Sequence, residues 1–339
     1  MDKLIDPTSK LMFHLDRLVD IQTGGKPAPV NVEIDLSNRC QMGCPFCHFA
    51  HVHSKGKLAH RKTHDTGDLM DKALALSILD QLKAAGVRSV TWSGGGEPTL
   101  HPNIAEIVTH AHELGLDQGI YTNGLRMDQT KVREEFRGQL PNSLTGLAPL
   151  LKRTMRWVYL SHGPHGLAEL LASEGDAVIG VGMMVDSSNV IDIYANASKA
   201  SKADYFHIRP IVGGQLRKDD IDLIDAYVRA AQAKGINVIY DRSRFEMYRQ
   251  WQGHGYPTCY WTQVQSVITP DGRVWACCNR RGYEDSCLGD LTGQPWDAVW
   301  ANSHAWQVNS DCRAMCRGHI PNLTLSAIFE QQNDHKNFV

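Results

Sequence analysis

Three cysteines in one short loop constrain this 339-residue chain more than any other feature of its sequence. Cys40, Cys44 and Cys47 lie in the segment Cys-Gln-Met-Gly-Cys-Pro-Phe-Cys, separated by three and then two residues. Thiolates at such short intervals are soft ligands that suit iron–sulfur clusters or zinc. A closed [4Fe–4S] site needs four ligands, so a loop that supplies three leaves one iron open to a small molecule. A zinc knuckle or unrelated buried thiols are the alternatives that this spacing leaves open.

A glycine-rich segment, Ser93-Gly94-Gly95-Gly96-Glu97-Pro98, lies about 50 residues beyond this loop. It directly follows the strand-like residues 88–92. Glycines let the backbone come close to a ligand because they carry no side chain. Together the cysteine loop and this segment resemble the radical SAM superfamily, in which S-adenosylmethionine chelates the open iron through its amino and carboxylate groups. The resemblance extends from about residue 27 to residue 319.

The resemblance implies positions for the cofactors. In this family the three loop cysteines hold a [4Fe–4S] cluster, and an aromatic residue, here Phe46, precedes the third of them. The residues that would border the methionine end of S-adenosylmethionine are Gly95, Gly96, Glu97 and Pro98. Among these, the Glu97 carboxylate would help to hold the ammonium group.

Polar residues after the third and fourth strands often meet the ribose or the carboxylate of S-adenosylmethionine in this family. Thr122, Asn123 and Ser161 occupy those places here. For each of them, forming a turn or capping a helix is an alternative role. Arg209, at the end of the sixth strand, is a candidate for facing the substrate, with a structural ion pair as its alternative.

Strand-like and helix-like segments alternate from Val30 onward. The six strand-like segments are residues 30–36, 89–92, 118–122, 156–160, 178–183 and 205–209. Such alternation implies parallel strands joined by right-handed crossovers. The sequence therefore predicts an α/β fold, a partial (β/α)6 radical SAM barrel, with its site at the carboxyl ends of the strands. The motifs named above all follow such ends.

Four segments are predicted along the chain. They are an N-terminal helical extension at 1–29, the barrel at 30–240, a small α+β Twitch/SPASM-like auxiliary cluster domain at 241–320, and a C-terminal tail at 321–339. In the extension, Leu11, Leu15, Leu18 and Val19 share one helical face. A helix that caps the barrel is favoured over a binding module.

A second cysteine set lies near the C-terminus. Cys259 is followed after 12 residues by Gly272 and after four more by Cys277, with a hairpin predicted around Pro270-Asp271-Gly272. This spacing resembles the opening of SPASM and Twitch auxiliary-cluster domains. Cys312 and Cys316 complete a set of four, although three residues between them depart from the usual tighter pair. Because no cysteine follows Cys316, one second [4Fe–4S] cluster fits better than two, and zinc is an alternative.

Two cysteines remain after both sets are filled, Cys278 and Cys287. Cys278 could replace Cys277 as a ligand, and Cys287 could replace one of the later pair. Either could instead act catalytically and donate a hydrogen atom to a substrate radical, as a thiol does in some radical SAM epimerases. The remaining alternative is that each is a small buried hydrophobic residue.

The family also implies the reaction. A flavodoxin or ferredoxin supplies an electron, S-adenosylmethionine is cleaved to methionine and a 5′-deoxyadenosyl radical, and that radical removes hydrogen from an unactivated C–H bond. The auxiliary cluster could then accept an electron from the substrate radical, bind the substrate or hold the fold.

Composition limits the cellular setting and the partners. The formal net charge is −2, which gives no global attraction to nucleic acid or membranes. No apolar run approaches the roughly 18 residues of a membrane span, and the charged first residues are unlike a signal peptide. We therefore expect a cytoplasmic protein without membrane association. In that compartment nine cysteines indicate metal or redox chemistry, and not disulfides.

The substrate is the least constrained part of the prediction. Residues 48–64 contain five histidines, four Lys or Arg side chains and no acid, directly after the cluster loop. A cationic lid there would favour an anionic substrate. A solvated loop is the alternative.

Three functions are therefore compatible with the sequence. The first is radical chemistry on a polar small molecule such as a sugar, aminocyclitol or nucleoside, giving dehydrogenation, epimerisation or rearrangement; an anionic form of it is the option that a cationic lid would favour. The second is modification of a macromolecule. Peptide maturases often carry an extra binding domain, for which 29 N-terminal residues are too few. Nucleic acid would need a basic surface, suggested only by residues 48–64 and by Arg242, Arg244, Arg249, Arg280 and Arg281. The third is a non-enzymatic electron carrier with two clusters.

Overall fold

The computed structural model describes residues 7–44, 46–47, 68–127, 146–314 and 316–330. Its strands are β1 (Asn31–Asp35), β2 (Ser89–Ser93), β3 (Asp117–Thr122), β4 (Trp157–Leu160), β5 (Val178–Val185), β6 (Tyr205–Pro210), β7 (Val238–Ile239), β8 (Thr258–Cys259), β9 (Gln265–Ile268), β10 (Arg273–Trp275), β11 (Cys287–Asp290) and β12 (Trp306–Gln307). Its α-helices are α1 (Pro7–Leu11), α2 (Leu15–Gln22), α3 (Lys72–Ala84), α4 (Ile104–Glu113), α5 (Leu147–Thr154), α6 (Leu167–Leu171), α7 (Ile193–Lys199), α8 (Lys218–Gln232), α9 (Arg242–Arg249), α10 (Trp296–Trp300) and α11 (His319–Phe329).

The strands β1 to β7 lie side by side in chain order, and every pair among them is parallel. The six predicted barrel strands are confirmed, each within two residues of its predicted bounds. The two-residue strand β7 was not predicted, because two residues are too short to show a strand pattern. Parallel order brings all the carboxyl ends to one edge of the sheet.

The main core lies between this sheet and the helices that cover its outer face. In α3, for example, Ala75, Ile78, Leu79 and Leu82 are buried on one side. The helix begins where the Asp71 side chain accepts a hydrogen bond from the Leu74 N–H at 3.0 Å. Across the described ranges, no helix combines the length and the apolar character needed to cross a membrane.

The C-terminal region continues the barrel sheet. Strand β9 pairs in parallel with β1, and β10 and β11 follow as antiparallel neighbours. The hairpin predicted between β9 and β10 is confirmed, and Gly272 takes a φ of +83° at its turn. The pairing of β9 with β1 was not predicted. It gives hydrogen-bond partners to a β1 edge that would otherwise be left open.

The N-terminal helices pack on the C-terminal region. Leu11, Leu18 and Ile21 form one apolar cluster with Val264 and with Leu325 of α11. Helix α11 therefore crosses the predicted boundary at residue 320, and residues 321–329 are packed helix and not a tail. The predicted cap on the barrel therefore has its apolar partners in the C-terminal region, while Arg17 donates to the Gly86 carbonyl of the barrel at 2.6 Å.

Candidate functional site

The first cysteine loop follows β1 at the edge where the parallel strands end. Cys40, Cys44 and Cys47 are all half-buried free thiols, and the Cys47 N–H donates to the Cys44 carbonyl at 3.0 Å. Burial raises the pKa of Cys44 to about 12 and raises the pKa of Cys40, so neither thiol ionises readily without a bound cation. Such thiols become thiolates when a metal binds them.

The three soft thiol donors of this loop fit an iron–sulfur cluster. Among the described residues, no three Cys, His, Asp or Glu side chains converge closely enough to hold one metal ion. A four-iron cluster binds each thiolate at a separate iron, so three thiols spread along one loop suit it.

A histidine that the sequence analysis missed lies against this loop. His162 Nε2 is 3.0 Å from Cys44 Sγ, and its ring stacks on Phe46 with centroids 5.5 Å apart. Burial lowers the pKa of His162 to about 4, so the imidazole is neutral at neutral pH. The available signal was its position directly after β4, next to Ser161.

The glycine-rich segment packs closely on the end of β1. The Gly95 N–H donates to Asp35 Oδ2 at 3.1 Å, and the Glu97 N–H donates to the Arg39 carbonyl at 2.7 Å. A Cβ on Gly96 would lie 2.3 Å from the Arg39 carbonyl oxygen, which no side chain tolerates. Glycine is therefore required where the two loops meet.

Replacing Gly96 with alanine should displace this segment. Overpacking of this kind costs about 1–3 kcal/mol, so we expect S-adenosylmethionine to bind about tenfold more weakly. Anaerobic equilibrium dialysis of the reconstituted protein measures this affinity. Gly146→Ala is the matched control, because a Cβ there meets no atom within 4 Å. Equal affinities in the two variants would contradict the prediction.

Glu97 joins two loops from a buried position, 3% exposed. Its carboxylate accepts hydrogen bonds from the Thr99 N–H and hydroxyl, from the Thr122 hydroxyl at 2.6 Å and from the Asn123 N–H at 2.7 Å. Burial raises the pKa of Glu97, and these donors act against that rise. The contacts give Glu97 a structural role that the sequence did not reveal. Its predicted contact with an ammonium group stays a prediction.

Several polar atoms near the two loops are left over for a ligand. Asn123 Oδ1 accepts from the Leu125 N–H at 3.0 Å, while Asn123 Nδ2, Gln41 Oε1 and Asn38 Oδ1 are buried without a hydrogen-bond partner. Buried polar atoms normally have partners, so these orphans fit a polar molecule such as S-adenosylmethionine. Neither Gln41 nor Asn38 was identified from the sequence.

The remaining predicted cofactor residues lie at the same edge. Thr122 ends β3, and the Ser161 N–H donates to its carbonyl oxygen at 2.7 Å. Pro98 is buried and begins a short 3-10 turn after Glu97. The structure thus gathers all the predicted positions around the ends of β1 to β4.

The second cysteine set comes together in the C-terminal region. Burial raises the pKa of Cys259 to about 12, and the neighbouring Cys316 and Cys312 add to the rise. Cys277 lies beside Cys278, and Cys316 is also near enough to raise its pKa. These four predicted ligands therefore share one neighbourhood, which fits a second cluster.

The two remaining cysteines lie in one apolar cluster with Val267 and Trp275. Cys278 is 7% exposed, and its pKa is lowered to about 6 by a hydrogen bond with Cys277 and by the Arg317 guanidinium. Cys287 is half-buried at the start of β11, and its thiol is 3.7 Å from the Gly289 carbonyl. Cys287 packs against this cluster and Cys278 lies beside a predicted ligand, and the roles of both cysteines stay predictions.

Alanine variants separate the roles open to these two cysteines. We expect Cys287→Ala and Cys278→Ala each to lose about 1 kcal/mol of stability and to keep their iron and their S-adenosylmethionine cleavage. Iron assay, thermal unfolding and 5′-deoxyadenosine yield are the measurements. Reduced iron in either variant would identify a ligand. Unchanged 5′-deoxyadenosine with lost product would identify a hydrogen donor.

Arg209 lies inside the barrel among aromatic residues. Its guanidinium carbon is 4.9 Å from the centre of the Tyr159 ring, and its Nε is buried without a partner. The nearby Arg209 adds to the effect of burial in lowering the pKa of Arg244. Neither arginine forms an ion pair with a carboxylate in the part of the chain that the structure describes. The Asp241 carboxylate acts to raise the pKa of Arg244 without a salt bridge to it, so within the described residues the positive charge of the site is only partly offset.

Three of the other arginines offered as a basic surface, Arg242, Arg280 and Arg281, are paired with carboxylates, whereas Arg249 is exposed. Arg242 contacts Asp222 at 2.9 Å and Glu246 at 2.8 Å, and it also contacts Asp225. Arg280 and Arg281 are buried and paired with carboxylates. Among the described residues, these contacts reduce the basic surface that a nucleic-acid substrate would need. The predicted lid at 48–64 lies outside the described residues.

Two protein families match the chain. The radical SAM superfamily matches residues 34–139, which contain the first cysteine loop and the glycine-rich segment. The SPASM family, an iron–sulfur cluster-binding domain, matches residues 259–329, which contain the second cysteine set.

Two similar proteins, both named PqqA peptide cyclase, match different shares of the chain. It is 31% identical over 289 residues to the PqqA peptide cyclase of Gluconobacter oxydans (strain 621H), covering 80% of this chain and 76% of that protein. The PqqA peptide cyclase of Xanthomonas oryzae pv. oryzae (strain MAFF 311018) is 33% identical over 99 residues, which are 29% of this chain and 24% of that protein.

Solved structures share the fold at low identity. Streptococcus suis SuiB bound to the precursor peptide SuiA has a TM-score of 0.55 and 17% identity, covering 88% of this chain and 71% of that chain. The protein anSMEcpe with bound AdoMet has a TM-score of 0.52 and 16% identity, covering 80% of this chain and 77% of that chain. At these identities the likeness establishes the fold alone.

Proposed function

The chain belongs to the radical SAM superfamily and carries a C-terminal SPASM iron–sulfur cluster-binding domain, and we propose that it is an enzyme that modifies a peptide. The predicted family, fold class and cofactor types are confirmed. The observation that carries the proposal is the 31% identity to a PqqA peptide cyclase, because it extends over 76% of that protein. The proposal reverses the order of the sequence-based hypotheses, which placed a small polar metabolite first.

Residues of both loops would hold the cofactors. When bound, the cluster and S-adenosylmethionine supply a 5′-deoxyadenosyl radical that abstracts hydrogen from the substrate. Cys40, Cys44 and Cys47 would bind the cluster, while the glycine-rich segment and the unpartnered atoms of Gln41 and Asn123 would bind S-adenosylmethionine. A flavodoxin or ferredoxin as reductant is part of the proposal.

The barrel interior suits a peptide side chain held by charge and aromatic contact. Tyr121 and Tyr159 lie edge to face with ring centroids 5.2 Å apart, and Tyr159 Oη is 3.5 Å from His207 Nδ1. Burial raises the pKa of Tyr159 to about 12, so its hydroxyl stays protonated at neutral pH. Arg209 above this ring would orient the substrate, because its Nε has no protein partner.

A deuterium-transfer experiment tests the substrate class. The reconstituted protein is incubated anaerobically with S-adenosylmethionine and dithionite. It receives either a peptide pool translated with deuterated amino acids or a pool of deuterated sugars, aminocyclitols and nucleosides. We expect deuterium in 5′-deoxyadenosine only from the peptide pool, with a matching mass change in one peptide. Transfer from the metabolite pool alone would overturn the proposal. A Cys40→Ala sample is the control for uncatalysed exchange.

A further inference from the structure

A buried arginine connects the C-terminal domain to the first barrel strand. Arg281, with no exposed side-chain surface, donates to Asp35 and to Glu33 of β1. Its Nε also donates to the Cys278 carbonyl at 3.0 Å. One side chain thus fixes the backbone next to the second cysteine set and two carboxylates of the barrel.

The same carboxylate also holds the glycine-rich segment. Asp35 Oδ2 accepts both the Arg281 guanidinium and the Gly95 N–H, the latter at 3.1 Å. A continuous chain of contacts therefore runs from Gly95 through Asp35 and Arg281 to Cys278. One end lies in the proposed S-adenosylmethionine site, and the other end, Cys278, lies directly beside Cys277 of the proposed auxiliary-cluster site.

The charges of four side chains balance within this chain of contacts, so a displacement at Gly95 or at Cys278 would disturb that balance. Glu33 and Asp35 are both buried, and Arg281 and Arg317 oppose their two negative charges. Burial alone would raise the pKa of Glu33, but Arg317 and Arg281 outweigh it and bring this pKa to about 2. Burial raises the pKa of Asp35 to about 6 against the attraction of Arg281, so the position of Arg281 decides the charge beside Gly95. Buried charges of this kind tolerate little displacement.

We propose that Arg281 is a positioning residue that couples the S-adenosylmethionine segment at Gly95 to the auxiliary-cluster loop at Cys277 and Cys278. Because coupling between two sites is reciprocal, S-adenosylmethionine should alter the auxiliary cluster, and the state of that cluster should alter S-adenosylmethionine affinity. The inference rests on the cofactor assignment and not on the proposed peptide substrate.

The test uses a charge-balanced double variant. In D35N/R281M one negative and one positive charge are removed together, and the amide oxygen introduced by D35N can still accept from the Gly95 N–H. The link to Cys278 is lost, while the pair of Glu33 and Arg317 remains. R273Q is the matched control, because Arg273 belongs to the same domain but pairs with the exposed Glu284.

Two quantities are measured on the reconstituted protein without substrate. These are the Kd for S-adenosylmethionine and the midpoint potential of the auxiliary cluster, followed by EPR with and without S-adenosylmethionine. In the parent protein, we expect S-adenosylmethionine to shift the midpoint potential of the auxiliary cluster. In D35N/R281M, we expect this shift to disappear and the Kd for S-adenosylmethionine to rise about tenfold, within the usual range of such coupling. R273Q should match the parent protein in both quantities.

Two results would overturn the inference. One is the absence of any potential shift in the parent protein. The other is a D35N/R281M variant that is less stable but keeps the parent Kd and shift, because Arg281 would then be structural only. If the double variant does not fold, R281K serves in its place: lysine keeps the charge but lacks the planar fork that reaches Asp35, Glu33 and Cys278 together. If R281K has the same Kd for S-adenosylmethionine and the same potential shift as the parent protein, the coupling is also rejected. Failure of the peptide proposal affects none of these readouts.

Discussion

Replacing Cys40, Cys44 and Cys47 together with alanine should remove about four irons per chain and abolish cleavage of S-adenosylmethionine. The three thiols come from one loop at the ends of the parallel strands, and burial gives Cys40 and Cys44 raised pKa values that a bound metal must offset. Without thiolates there, the loop keeps only the Met42 thioether as a soft donor, and iron–sulfur clusters are held by thiolates. Iron assay and chromatography of 5′-deoxyadenosine measure the two effects.

The fold of the triple variant should survive, because the loop lies outside the core of the barrel. Far-ultraviolet circular dichroism and the thermal unfolding midpoint are the controls. The Cys287→Ala variant controls for loss of a cysteine elsewhere, since that thiol packs near Trp275. Any substantial 5′-deoxyadenosine formed by the triple variant would show that the cluster is held by other residues.

The sequence predicted the barrel because its strands are local patterns. Each strand from β1 to β6 is a short strand-like segment in an alternation of strands and helices, so its position can be predicted without knowledge of its neighbours. The site followed from the same pattern, since the motifs occur directly after strands and parallel order brings those ends together.

Contacts between distant segments were not predictable in this way. The pairing of β9 with β1 joins residues more than 200 positions apart, such as Ile34 and Ile268, and no local pattern specifies such a register. The contact of α11 with α2 has the same origin, because amphipathic helices show an apolar face but not its partner.

The missed site residues have a similar cause. His162 and Gln41 acquire their positions beside the first cysteine loop only through folding, and neither belongs to a recognisable motif. Glu97, Thr122 and Asn123 were identified, but the hydrogen bonds that Glu97 accepts from Thr99, Thr122 and Asn123 were not, because these donors lie on two different loops. The sequence was therefore sufficient to identify the motif residues, whereas the hydrogen bonds around them are seen only in the folded structure.

The triple cysteine variant also provides the cleanest background for the second cluster. It should retain about four irons, bound by Cys259, Cys277, Cys312 and Cys316. Adding Cys259→Ala to it should remove this remaining iron. Cys259 ends β8, which pairs with β12, and its carbonyl accepts from the Thr262 hydroxyl at 2.9 Å, so the ligand lies within the small sheet that it would stabilise.

Loss of that cluster should also destabilise the C-terminal region, because metal binding and folding are coupled when the site exists only in the folded chain. We expect a loss of about 3 kcal/mol or more, the size typical of a removed metal site. Limited proteolysis should then cut residues 259–329 before the barrel, while Cys287→Ala on the same background should keep its iron and its protease resistance. Iron near zero before Cys259 is changed, or one zinc per chain in place of iron, would show that the second cysteine set binds no iron–sulfur cluster. Iron content and protease resistance are both measured without turnover. The comparison of Cys259→Ala with Cys287→Ala on the triple-variant background therefore does not depend on knowing the substrate.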